Sequence, residues 1–129
     1  MKKSFNRRYL LLPLLLFATG LAWAGWEKVY TTATATHYVD RASIRKDGNL
    51  RRMWSLTDLK QRDKNGEMSR RSKSEYDCKG ERMRYLALST HSESMAGGKT
   101  LLNEGEEEMW RAIPPGTAAE AILEMACAQ

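Results

Sequence analysis

The chain has 129 residues, 42% of them hydrophobic and 29% charged, and its 21 Lys and Arg exceed its 16 Asp and Glu by five. That is enough for one domain with one modest core. There is no internal repeat, and no low-complexity segment beyond a short Glu run, so array and low-complexity classes are excluded.

The first residues carry Lys2, Lys3, Arg7 and Arg8, then an apolar run from Leu10 to Ala18, then Ala22-Trp23-Ala24. A positive start, a short apolar centre and small residues at the two positions read by a signal peptidase predict a cleavable secretory signal over 1–24, cut between Ala24 and Gly25. The apolar run is well short of the roughly 20 residues a spanning helix needs. Removing the signal removes four basic residues and no acid, leaving 17 basic against 16 acidic side chains. The high pI therefore belongs to the targeting segment, and no nucleic-acid partner is expected. No cysteine follows the signal to accept a lipid. The expectation is a soluble mature chain, 25–129, with no transmembrane segment, exported to the periplasm or outer cell surface of a Gram-negative-type envelope.

Trp26 to Thr32 and Ala35 to Asp40 read as strands rich in Val, Tyr and Thr. Asp47-Gly48 marks a turn. Leu50 to Leu59 is the next strand, with Leu50, Trp54 and Leu56 on one face. Asn65-Gly66 predicts a hairpin turn. From Ser69 to Cys78, Lys73, Glu75 and Asp77 alternate with Ser74, Tyr76 and Cys78, which turns Cys78 inward. Glu81 to Thr90 follows, with Leu86 and Leu88 facing one way and Tyr85 and Ala87 the other. A Gly97-Gly98 break precedes a last strand over Lys99 to Asn103. After Pro114-Pro115-Gly116 the period changes. Thr117 is a helix N-cap, and Glu120 completes a capping box. Ala119, Ile122, Leu123, Ala126 and Cys127 share one helical stripe. The class is α+β: an antiparallel sheet of about five or six strands with a C-terminal helix packed on it. An oxidising compartment and two inward cysteines predict a Cys78–Cys127 disulfide closing the domain.

Candidate chemistry is sparse. His37 and His91 lack the rest of a catalytic set, and the serines near His91 lie in no nucleophile elbow. Cys and His do not cluster as metal ligands, and Glu104 to Glu108 lacks the oxygen alternation of a calcium loop. No catalytic residue, metal or cofactor is assigned. Trp26, Trp54 and Trp110, with Tyr30, Tyr38, Tyr76 and Tyr85, are read as core aromatics. Basic residues crowd the centre of the chain, and Arg51, Arg52, Arg70 and Arg71 form a candidate binding patch for an acidic partner.

Taken in order, Tyr38-Val39-Asp40 with Ser43-Ile44, Trp54-Ser55-Leu56, Glu75-Tyr76-Asp77-Cys78, Arg82-Met83-Arg84, the run from Trp110 to Thr117 and the late Cys127 resemble the surface-adhesin protein E family of exported bacterial proteins. The resemblance covers nearly the whole mature chain. It implies an antiparallel sheet carrying a C-terminal helix, and adhesion to host matrix or serum glycoproteins. It carries over no binding residue. The functional expectation is a non-enzymatic envelope binding module, with matrix or envelope macromolecules as partners. The alternative is a periplasmic accessory protein that binds a small molecule or another envelope protein. Oligomeric state is not legible.

Overall fold

The alternating segments become strands in the computed structural model, which describes residues 25–105 and 108–128. They are β1 (Trp26–Thr31), β2 (Ala35–Asp40), β3 (Arg45–Asp47), β4 (Leu50–Leu59), β5 (Ser69–Asp77), β6 (Arg82–Glu93), β7 (Gly97–Glu104) and β8 (Arg111–Ala112), followed by helix α1 (Ala118–Cys127). One antiparallel sheet runs β1-β2-β4-β5-β6-β7, with β3 also on β4 and β8 also on β6. The expected signal segment, 1–24, lies outside the described residues.

The core lies between one sheet face and α1. Val39, Met53, Tyr76 and Met83 meet Ile122, Leu123 and Ala126. Burying Ile122 and Leu123 contributes on the order of 2 kcal/mol each. Cys78, next along from Tyr76 and Asp77, is joined to Cys127 in the last turn of α1, with Cα atoms 5.8 Å apart. At the other end of the helix, Thr117 Oγ1 accepts the Glu120 N–H at 3.3 Å and donates to the Pro114 carbonyl at 2.7 Å. The capping box closes one residue early: Glu120 Oε1 accepts from the Gly116 N–H rather than from that of Thr117.

Pairing and burial add two short strands and correct the finer expectations. β3 and β8 are three and two residues long, too short to show alternation. β7 starts at Gly97, so the glycine pair belongs to the strand. A Cβ at Gly98 would clash with Ser92 Oγ, and its φ of +70° also favours glycine. In β6, Ser74 opposes Tyr85 while Lys73 opposes Ala87, leaving Leu86 as the extra residue of a bulge. Tyr85 and Leu88 therefore share the side of Ser74 and Ser72. Among the tyrosines and tryptophans of the described residues, Tyr76 alone is fully buried. Trp54 lies with Leu56 on the face away from α1, because Met53 and Ser55 take the helix side.

Candidate binding face

β4, β5 and β6 turn alternate residues toward the side of the sheet that α1 does not cover. Glu75, on β5, is 0% exposed there. Arg52 Nε reaches its Oε2 at 2.5 Å from β4, and Arg84 Nη2 reaches its Oε1 at 2.6 Å from β6. Burial alone would push this carboxyl up. The hydrogen bonds and charges of Arg52 and Arg84 more than offset it, and its pKa lies below the ordinary glutamate value. One step along, Asp77 accepts from the Gly80 and Lys79 N–H groups and from Arg82 Nε, and these bonds hold its pKa down, the Gly80 bond most. The Trp110 ring lies against both Arg82 and Arg84, at 4.7 and 4.5 Å from its centre.

Beyond this ion-paired ladder the face changes character. Trp54 and Lys73 oppose one another across β4 and β5. The Arg71 guanidinium sits 3.8 Å from the centre of the Trp54 ring. Among the described residues neither Arg71 nor Lys73 makes an ion pair. Beside them lies a groove of about 510 Å³, lined by Trp54, Arg45, Arg52, Lys73 and Asp40. Ser43 shapes its wall by accepting the Trp54 N–H at 2.9 Å and donating to the Asp40 carbonyl at 2.6 Å. The far end of the face is closed by the turn Ser94–Ala96. There Met95 N–H bonds Asp58 Oδ1 and Ala96 N–H bonds Ser69 Oγ, both at 2.9 Å.

The four arginines of the expected patch are not brought together. Arg52 and Arg71 oppose Glu75 and Leu56 on the helix-free face, whereas Arg51 and Arg70 oppose Tyr76 and Thr57 on the other. Arg51 donates to the Gly48 and Leu50 carbonyls. Arg70 is held by Glu67 at 2.8 Å and Asp63 at 3.1 Å. Lys73 and Trp54, which the chain brings next to Arg71 by strand pairing, were absent from that patch. The cross-strand partner, not chain proximity, was the missing signal.

Ser89 Oγ and His91 Nε2 are 2.9 Å apart on this face. Burial, and then the Arg71 charge, lower the His91 pKa. Among the described residues no carboxylate bonds its other nitrogen, and no group of three or more His, Cys, Asp or Glu is placed to hold a metal.

The surface-adhesin protein E family model matches residues 26–128. The chain belongs to the surface-adhesin protein E family. Solved structures of Haemophilus influenzae protein E share the fold. Crystal form II of Haemophilus influenzae protein E superposes with a TM-score of 0.64 at 15% identity, covering 81% of this chain and 88% of that one. Protein E from non-typeable Haemophilus influenzae gives 0.57 at 14%, covering 81% and 76%. No curated protein matches the chain. Several segments that carry the family resemblance are the devices described above: Asp40 and Ser43 at the groove, Glu75 and Arg84 in the buried ladder, Trp110 over Arg82. No helix of the described residues is long and apolar enough to cross a membrane.

Proposed function

We propose that this member of the adhesin family is an exported, non-enzymatic binding module acting at the cell surface, and that it grips a matrix, serum or envelope macromolecule. The signal over 1–24 would deliver it, with the mature chain beginning at Gly25. The observation that carries the reading is the half of the helix-free face where Arg71 and Lys73 flank Trp54 without an ion pair among the described residues. An aromatic platform with unneutralised cations suits an acidic, partly apolar contact, and long-range charge steers the encounter. Surface plasmon resonance of the purified exported protein against laminin, vitronectin and an acidic control protein tests it. Saturable binding to a glycoprotein, stronger than to the control, is expected. Equal weak binding to all three, lost in moderate salt, would reduce the contact to nonspecific charge attraction. The alternative, a periplasmic accessory protein, is favoured by a cavity beneath α1. Protease treatment of intact cells separates the two, since a surface protein is cleaved and a periplasmic one is sheltered.

A further inference from the structure

The α1 side of the sheet carries serine at three central positions where a small domain gains most from apolar residues. Ser55 and Ser72 are each 9% exposed and Ser74 is 1% exposed. Ser55 and Ser72 oppose one another and share a hydrogen bond of 2.9 Å. Among the described residues, Ser74 Oγ has no hydrogen-bond partner. An unpaired buried hydroxyl is destabilising, and native cores rarely keep one without a use. All three line a cavity of about 100 Å³ between the sheet and the start of α1. Its opposite wall is Ala118, Ala119 and Ile122. At the rim, Thr57 Oγ1 and His37 Nδ1 lie 3.2 Å apart, and both residues are half-buried.

We propose that this cavity binds a small uncharged polyol, either free or as the hydroxylated end of a glycan. Hydroxyls both donate and accept, so a row of them matches alcohol groups in either sense. Among the described residues, no Asp, Glu, Lys or Arg lines the cavity. A carboxylate or an ammonium would be desolvated there without a counter-charge. The titratable groups that face it are His37 and Tyr76 from the sheet, with Tyr85 at its edge; α1 contributes only Ala118, Ala119 and Ile122. Burial lowers the His37 pKa and raises that of Tyr76, so the site stays neutral at physiological pH. The alanines and Ile122 offer the carbon side of the ligand an apolar surface. The volume admits several waters or one molecule of a few heavy atoms, and so few atoms limit affinity to the order of millimolar. The site is on the other side of the sheet from Trp54 and does not depend on the adhesin reading.

The test is an NMR titration of the isotopically labelled exported protein with glycerol, methyl glucoside and acetate. Glycerol is expected to shift the amides of Ser55, Ser72, Ser74 and Ala119 saturably in the millimolar range. A matching response to methyl glucoside identifies the glycan end as a ligand, and none identifies the free polyol. Acetate acting on the same amides as strongly, or glycerol shifts that never saturate and spread over the surface, would overturn the proposal and leave a hydrated void. Ser74→Val fills the cavity with methyl groups. It should weaken glycerol at least tenfold while holding or raising the melting temperature by a few degrees. An unchanged glycerol response, or a clear loss of stability in both Ser74→Val and the milder Ser74→Ala, would assign the serine a structural role instead.

Discussion

Replacing Glu75 with Gln removes the charge at the centre of the helix-free ladder and leaves Arg52 and Arg84 facing an amide. Removing one partner of a buried ion pair generally costs roughly 3–5 kcal/mol. The carboxyl is fully buried, but the Arg52 and Arg84 side chains keep 47% and 21% exposure, so water recovers part of their solvation. A loss of about 2 kcal/mol is the discounted figure, equivalent to a fall of about 10 °C in melting temperature for a domain of this size. The pH dependence has a definite sign. The folded carboxyl ionises at lower pH than the ordinary value of 4.5, so its contribution is fully present above that value. The contribution is lost as pH falls through the folded pKa. Protonated Glu75 resembles Gln. Urea unfolding at pH 7 and at pH 3 should therefore show a wide gap between wild type and Glu75→Gln that narrows in acid. Asp63, Asp77 and Glu27, whose pKa values are also depressed, destabilise both proteins together and do not alter the gap. Equal stability at pH 7, or a gap of constant width down to pH 3, would refute the assignment of Glu75 as an ionised, buried clasp.

The disulfide and the helix cap give two further expectations. Cys78→Ser should lower stability by about 4 kcal/mol, from the chain entropy of the closed loop, and denaturation of oxidised and reduced wild type should differ by a similar amount. Mass analysis of unreduced, unfolded wild type should find no free thiol at Cys78 or Cys127. Thr117→Ala loses both the bond from the Glu120 N–H and the bond to the Pro114 carbonyl. It should cost about 1–2 kcal/mol, read from thermal unfolding, with the fold retained.

Local chemistry made much of this fold readable. Thr117, Asp47-Gly48 and Asn65-Gly66 act within a few residues of themselves, and the alternation around Tyr76 was strong enough to turn Cys78 inward. Features created by distant partners were not readable. Glu75 is buried because Arg52 and Arg84 reach it from 23 residues before and 9 residues after. Alone in the sequence it is one more charge on an outward face. The bulge at Leu86 inserts one residue and reverses every assignment beyond it in β6, and nothing in the local pattern marks it. Trp54 was expected in the core because aromatics dominate small cores. Instead its neighbour Met53 took the helix side, and Trp54 received Arg71 from the adjacent strand.

The same alternation makes the proposed contact testable with two adjacent residues. Arg70 and Arg71 carry equal charge and stand side by side in the chain, yet their side chains leave opposite faces of β5. Arg70 is already bound to Glu67 and Asp63, whereas Arg71 rests on Trp54 beside Lys73, which makes no ion pair among the described residues. Arg71→Glu changes the field over the helix-free groove directly. Arg70→Glu breaks exposed ion pairs and leaves the charges of that groove in place. If the face around Trp54 is the contact, Arg71→Glu should weaken partner binding by tenfold or more, with a modest loss of stability from the broken stack. Arg70→Glu should leave affinity within about twofold, because screening over a Debye length of about 8 Å limits what a charge on the far face can contribute. Lys73→Glu should behave like Arg71→Glu without the loss of the stack. Surface plasmon resonance at two salt concentrations, with melting curves on each variant, reads all three. Equal losses for Arg70→Glu and Arg71→Glu would mean that net charge rather than this face governs binding. A loss confined to Arg70→Glu would move the contact to the helix side of the sheet.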